Sequence, residues 1–111
     1  MNNALTQTAA ITGAGDGIGR ALAINLNNRG VKLYLCDIDQ ARLDATLAMC
    51  DTSRAMVNTA IVDCGNQTQI EAWAAAIIAD NTSLDFLFNN AGVAYSAEFR
   101  DASLDNFEWL M

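Results

Sequence analysis

Residues 8–19 decide the fold, and they read T-A-A-I-T-G-A-G-D-G-I-G. The stretch opens with a short apolar run typical of a strand, and four glycines follow at every second position: Gly13, Gly15, Gly17 and Gly19. A helical pattern comes next. A strand that turns through glycines into a helix leaves free backbone N–H groups at the positive end of that helix, which suits a phosphate or pyrophosphate. Glycine is needed because a side chain would block the anion or forbid the tight turn.

The glycine spacing excludes two common nucleotide-binding templates. The pattern G-x-G-x-x-G requires a third glycine where this chain has Ile18 or Arg20. The phosphate-binding loop requires Gly-Lys-Ser/Thr, and the sole lysine is Lys32, well beyond the glycines. The pattern that fits is T-G-x-x-x-G-I-G, from Thr12 to Gly19.

Composition narrows the function classes. The 111 residues suffice for one domain, 52% of them are apolar, and thirteen acidic residues outnumber six basic ones. This acidic balance argues against nucleic acid or an anionic membrane as partner. The chain has no histidine, and Cys36, Cys50 and Cys64 are too widely spaced for a zinc site or a disulfide framework. Without a signal peptide or a long apolar run, we expect a soluble cytoplasmic protein with reduced thiols.

Strand and helix patterns alternate along the chain. Gly30 is placed to end the first helix, while Asp39 and Asn66 are placed to cap the second and third. This alternation predicts an α/β fold, a Rossmann-type doubly wound parallel sheet truncated after about four strands, in one domain over residues 1–111. The predicted strands cover 9–12, 31–36, 55–62 and 84–88; the predicted helices cover 18–28, 40–49 and 67–79, with a fourth starting at Ser103.

Polar residues follow the predicted strands where such sheets bind ligands, at their carboxyl ends. Asp37 stands eighteen residues after Gly19 and can accept hydrogen bonds from both ribose hydroxyls of an adenosine. A carboxylate there would also repel the 2′-phosphate of NADP. With Asp16 in the loop and no neighbouring base, the sequence favours NAD.

Two further motifs complete a family pattern. Asp63-Cys64 ends the third strand, and Asn89-Asn90-Ala91-Gly92 ends the fourth. Together with T-G-x-x-x-G-I-G, these motifs resemble the short-chain dehydrogenase/reductase family over essentially the whole chain. The resemblance implies NAD as cofactor and hydride transfer between nicotinamide and an alcohol or ketone. It also implies cofactor-binding roles for Gly13, Gly15, Asp16, Gly17, Ile18, Gly19, Asp37, Ile38, Asp63, Cys64, Asn90, Ala91 and Gly92.

The family's catalytic set does not match this chain. That set is a Ser with Tyr-x-x-x-Lys, whereas Tyr34 is followed four residues later by Ile38, and Tyr95 by Phe99. The expectation is an N-terminal cofactor-binding part without catalytic or metal-binding residues, inactive alone. We expect an open sheet edge beside the fourth strand, and marginal stability or self-association, as a homo-oligomer, through it.

Two alternatives stay open. A stand-alone dinucleotide-binding module without catalysis would use the same loop and carboxylate. A methyltransferase-like fold that binds S-adenosylmethionine also combines a glycine loop with an acidic residue after the second strand, although the N-N-A-G motif disfavours it.

Overall fold

A computed structural model describes residues 7–80 and 84–90, together with the backbone of 108–110. The predicted α/β Rossmann-type fold is confirmed. The elements are β1 (Thr8–Thr12), α1 (Gly17–Asn28), β2 (Lys32–Asp37), α2 (Gln40–Ala48), β3 (Val57–Ile61), α3 (Gln67–Asp80), β4 (Phe86–Asn89) and β5 (Glu108–Leu110).

The sheet is parallel, with strand order β3-β2-β1-β4-β5. The chain builds outward from β1 to β2 and β3, then crosses to β4 on the other side of β1. Strand order therefore reverses between β1 and β4, where ligands bind in folds of this type. Thr12 lies in register with both Cys36 and Asn89. The glycine loop, Asp37 and Asn90 consequently emerge along one edge.

Both faces of the sheet are covered, which explains the near-continuous apolarity of β1 and β2. Alternate residues point to opposite faces. One face packs against α3 through Ala10, Tyr34, Cys36, Trp73 and Ile77, and the other holds Ile11, Leu33, Leu35, Ala23 and Leu43. Leu33 and Leu35 are completely buried, and each contributes about 1.5–3 kcal/mol relative to an exposed side chain. These two layers fix the positions of the strand ends.

The residues predicted to end the first helix and to begin the second do so in the structure. Gly30 has φ +79° and donates its N–H to the carbonyl of Asn27, while the next N–H, of Val31, bonds the carbonyl of Leu26. This is a Schellman motif, which satisfies two carbonyls at the end of α1. Asp39 accepts a hydrogen bond from the N–H of Arg42 at the start of α2.

The asparagine predicted to cap the third helix does so as well. Asn66 accepts from the N–H of Gln69 at 3.1 Å. Within residues 7–80 and 84–90, no helix is long and apolar enough to cross a membrane.

The predicted fourth helix is wrong where it can be examined. Its first part, Ser103 to Phe107, lies outside the described residues, but Glu108–Leu110 form a strand parallel to β4. The outer backbone groups of β4 require hydrogen-bond partners, and a parallel strand supplies them. The edge of β4 that we expected to be open is therefore paired by β5 at three positions, from Phe86↔Glu108 to Phe88↔Leu110.

Candidate functional site

The glycine loop leaves β1 through conformations that favour glycine. Gly13 and Gly17 have φ of +64° and +56°, in the left-handed region that L side chains rarely adopt. The N–H of Ala14 donates to the carbonyl of Cys36 at 3.0 Å, which ties the start of the loop to β2. A Cβ built on Gly17 would meet no atom within 4 Å, so the backbone there faces open space.

Gly15 and Gly19 are required for a different reason than the sequence suggested. A Cβ on Gly15 would lie 2.7 Å from Oδ2 of Asp37, and one on Gly19 would collide with the carbonyl oxygen of Gly13. These two glycines therefore allow the loop, α1 and the end of β2 to approach one another.

The first turn of α1 has no side-chain cap. Asp16 occupies the N-cap position but makes no capping hydrogen bond, whereas the caps of α2 and α3 do. Its Oδ2 instead accepts from Nη1 of Arg42 at 3.0 Å. The N–H groups of that turn thus have no carboxylate in front of them, which suits an external anion.

Asp37 is held at the end of β2 by two backbone donors. Its Oδ2 accepts from the N–H of Gly15 at 2.8 Å, and its Oδ1 accepts from the N–H of Asp39 at 2.9 Å. The carboxylate is only half-buried and borders an open cavity. Each oxygen has a further lone pair for a ligand hydroxyl.

A cavity of about 280 Å³ opens beside Asp37. Its lining contains five of the residues predicted from the sequence: Gly13, Asp37, Ile38, Asp63 and Cys64, together with Val62 and Gly65. Ile38 is 65% exposed. Asp63 accepts from the N–H of Gly65, which shapes the turn after β3. The cavity offers an apolar wall and carboxylates, a chemistry that suits a nucleoside.

Two thiols meet beside this cavity, and one of them, that of Cys64, belongs to a residue of its lining. The sulfur atoms of Cys36 and Cys64 lie 4.0 Å apart, and both side chains are buried. The hydrogen bond between them, together with burial, raises the pKa of the Cys36 thiol. The same hydrogen bond lowers the pKa of Cys64, against an opposing effect of burial. No group of histidine, cysteine and acidic residues in the described part of the chain could hold a metal ion.

The two asparagines at the end of β4 join the strands on either side of the switch point. Asn90 donates from Nδ2 to the carbonyl of Gly13 at 3.1 Å, and Thr12 donates from Oγ1 to Oδ1 of Asn89 at 3.1 Å. These two hydrogen bonds tie the end of β4 to the end of β1. Ala91 and Gly92, which complete the motif, lie outside the described residues.

The structure corrects the statement that no base is near the site. Arg42, on the first turn of α2, forms ion pairs with Asp16 at 3.0 Å and with Asp39 at 3.7 Å. Sequence reasoning considered only the immediate neighbours of Asp37. The signal was available, because residue 42 falls on the first turn of a helix that starts beside that carboxylate.

A second arginine also contacts the glycine loop. Arg20 donates from Nη2 to the carbonyl of Gly15 and from Nε to Oγ1 of Thr46 at 2.9 Å. Thr46 in turn donates to the carbonyl of Ala14 at 2.8 Å. These bonds hold the loop against α2. They engage Nε and Nη2 of Arg20 in structural contacts.

Comparisons with known proteins agree with this geometry. The family model for the short chain dehydrogenases matches residues 7–111. Human (Homo sapiens) estradiol 17-beta-dehydrogenase 11 is 41% identical over 88 residues, which cover 79% of this chain and 29% of that protein. The chain spans about a third of the length of the curated relatives it matches.

Solved structures include complexes with both nicotinamide dinucleotides. A short chain dehydrogenase/reductase from Burkholderia phymatum in complex with NAD is 38% identical, with TM-score 0.72, covering 84% of this chain and 33% of that one. A metagenomic short-chain oxidoreductase in complex with NADP is 32% identical, with TM-score 0.72, covering 78% of this chain and 39% of that one. By fold, by site geometry and by the family match over residues 7–111, the chain belongs to the short chain dehydrogenase family.

Proposed function

We propose that this chain supplies the NAD-binding part of an oxidoreductase that transfers a hydride between nicotinamide and an alcohol or ketone. The observation that carries the proposal is the Asp37 carboxylate, fixed by two backbone N–H groups at the border of a nucleoside-sized cavity. A carboxylate in that place accepts hydrogen bonds from ribose hydroxyls and repels a 2′-phosphate.

The described residues fit a dinucleotide along its length. The uncapped first turn of α1 would receive the pyrophosphate through backbone N–H groups. Asp37 would receive the adenosine ribose, and the cavity wall formed by Ile38, Asp63 and Cys64 would receive the adenine. When bound, the dinucleotide supplies the nicotinamide that accepts or donates the hydride.

Specificity for NAD over NADP depends on how the local charges balance. Arg42 could attract a 2′-phosphate, but Asp16 and Asp39 already pair with it. Three carboxylates, those of Asp16, Asp37 and Asp39, outnumber the two guanidinium groups near the loop, those of Arg42 and Arg20. The local field remains negative, and this favours a ribose with two free hydroxyls.

The family's catalytic pattern, a Ser with Tyr-x-x-x-Lys, does not occur in these 111 residues. Tyr34 is buried in β2 and its hydroxyl donates to Asp80 on α3, so it serves packing rather than proton transfer. We therefore propose that the 111 residues alone bind the cofactor without turnover. NADH formation from NAD and simple secondary alcohols by this chain would contradict that proposal.

Equilibrium titration with NADH and NADPH, followed by nicotinamide fluorescence, tests the cofactor assignment. We expect NADH to bind at least about tenfold more tightly, a difference of about 1.4 kcal/mol. Asp37→Asn removes the charge with little change of shape and should narrow the difference in affinity between NADH and NADPH. Asp44→Asn, on the exposed side of α2, is the matched control and should leave it unchanged. Equal or tighter binding of NADPH by the unaltered chain would overturn the assignment.

A further inference from the structure

The predicted cofactor-binding role does not explain why the thiols of Cys36 and Cys64 lie next to each other. Cys36 is in the middle of the sheet, in register with Thr12 on one side and Ala60 on the other, and it is fully buried. Cys64 belongs to the turn after β3 and lines the cavity. One thiol is therefore fixed by the sheet, and the other is on a loop that borders an open space.

We propose that Cys36 and Cys64 are a redox-active dithiol, which hydrogen peroxide converts to a disulfide beside the nucleoside cavity. The sulfur atoms are 4.0 Å apart, and a disulfide requires about 2.05 Å, so they must approach by about 2 Å. The turn at Cys64 supplies that movement, because Cys64 lies beyond the last residue of β3 and the hydrogen bonds of its neighbour Asp63, with Gly65 and with Gln69, are exposed to solvent.

The order of reaction follows from access. Cys64 is reached through the cavity, and the hydrogen bond from Cys36 lowers its pKa, so its thiolate attacks one peroxide oxygen. A sulfur–oxygen bond forms, the oxygen–oxygen bond breaks, and the departing hydroxide takes up a proton as water. The sulfur of Cys36 then attacks the sulfenic sulfur of Cys64. The sulfur–sulfur bond forms, and hydroxide leaves with the Cys36 proton as a second water.

The balance is two thiols and one hydrogen peroxide to one disulfide and two waters, with two electrons passing from sulfur to peroxide. The movement draws the Cys64 turn, and with it the adjoining Asp63, toward the sheet. Because both residues line the cavity, oxidation should reshape the wall that would receive the adenine. This consequence, unlike the disulfide itself, rests on the proposed function.

Peptide mapping tests the chemistry independently of cofactor binding. The three cysteines fall on different tryptic peptides, because Arg42 separates Cys36 from Cys50 and Arg54 separates Cys50 from Cys64. The folded protein is treated with hydrogen peroxide, free thiols are alkylated, and the peptides are identified by mass spectrometry. We expect a Cys36–Cys64 cross-link that dithiothreitol reverses, with Cys50 recovered as the alkylated thiol.

Variants sharpen the result. Cys50→Ser is the matched control and should form the same cross-link, whereas Cys36→Ser should leave Cys64 as a sulfenic acid or an over-oxidised product. Serine at the buried position 36 could prevent folding, so mapping of the unaltered protein and of Cys50→Ser decides the question. Cys64 that stays reduced, or that is oxidised without a cross-link to Cys36, would overturn the proposal.

A titration with NADH before and after oxidation then measures the consequence. We expect the disulfide form to bind at least about tenfold more weakly, with affinity restored by dithiothreitol. Unchanged affinity of the cross-linked protein would contradict the reshaping of the cavity. If the reduced protein binds no NADH, the proposed function fails, while the mapping still decides whether the dithiol exists.

Discussion

The carboxylate of Asp37 accepts a hydrogen bond from the backbone N–H of Gly15 at 2.8 Å, across 22 positions of the chain. This bond joins the glycine loop to the end of β2. The residue we expect to select the cofactor therefore also organises the loop that would hold the pyrophosphate. A Cβ on Gly15 would lie 2.7 Å from the carboxylate oxygen, too close for the two atoms to keep their places.

Replacement of Asp37 should therefore affect stability as well as binding. Asp37→Ala leaves the N–H groups of Gly15 and Asp39 without their acceptors, and we expect the free energy of unfolding to fall by about 1–3 kcal/mol. Asp37→Asn keeps one acceptor oxygen and should cost less. Urea unfolding measures both, with Asp44→Ala as an exposed control expected to change stability by less than about 0.5 kcal/mol. Equal stability of the alanine variant and the unaltered chain would show that the bond to Gly15 is dispensable.

The ion pair between Asp16 and Arg42 predicts a change in cofactor preference. Both side chains are more than half exposed, so the pair itself is worth about 0.2–1 kcal/mol. Asp16→Ala leaves Arg42 paired only with Asp39, and the affinity for NADPH should rise by roughly 1.4- to fivefold, the same free energy expressed as a ratio. The gain should shrink in high salt, because the interaction is exposed.

The double variant Asp16→Ala with Arg42→Ala is the control for that experiment. It should lose the gain in NADPH affinity, since the cation is absent. A gain that persists in the double variant would mean that Arg42 does not reach the phosphate.

The glycines of the loop should differ in their tolerance of alanine. Gly19→Ala would drive a methyl group into the carbonyl oxygen of Gly13, and we expect a loss of about 3 kcal/mol or more. The methyl group of Gly17→Ala would meet no atom within 4 Å. Its only cost is that of alanine in a left-handed backbone conformation, about 1–2 kcal/mol of unfolding free energy. Urea unfolding of the two variants gives the order directly. The reverse order would contradict the close approach at Gly19.

A buried asparagine at the end of α1 should be important for stability. Asn27 donates from Nδ2 to the carbonyl of Asp51 at 3.0 Å and accepts from the N–H of Asp51 at 2.7 Å. Asn27→Ala leaves the carbonyl and the N–H of Asp51 without these partners. The free energy of unfolding should fall by about 1–3 kcal/mol for each of the two groups that water does not reach. The exposed neighbour Asn28 is the matched position, and Asn28→Ala should change the midpoint of thermal unfolding far less. Equal effects at the two positions would show that water replaces the side chain of Asn27.

Local signals in the sequence were sufficient for the order of the elements from β1 to β4 and for most of their ends to within two residues. Asp39, Asn66 and Gly30 act on backbone groups within four residues, and such short-range hydrogen bonds can be inferred from the residue type and its position. The strand ends that carry polar residues follow from the same alternation. For this reason Asp37 and Asp63 were expected at the carboxyl edge of the sheet, where they lie.

The features that sequence reasoning missed depend on contacts between elements. Arg42 comes near Asp16 only because α2 packs against the glycine loop, and Asn27 is buried only because the segment after α2 returns to the end of α1. Cys36 and Cys64 are brought together across 28 positions by the pairing of β2 with β3. Strand β5 was missed because its pairing depends on the edge of β4 rather than on its own three residues. Apart from Arg42, which its place on the first turn of α2 could have indicated, none of these contacts has a periodicity or a spacing that marks it in the chain.

The most direct test of the central claim is a crystal structure of the protein with NAD. The account predicts that the carboxylate of Asp37 lies within hydrogen-bond distance of both hydroxyls of the adenosine ribose. It also predicts the pyrophosphate at the first turn of α1 and the adenine in the cavity beside Ile38. An adenosine ribose that makes no contact with Asp37, while the carboxylate still bonds only Gly15 and Asp39, would contradict it.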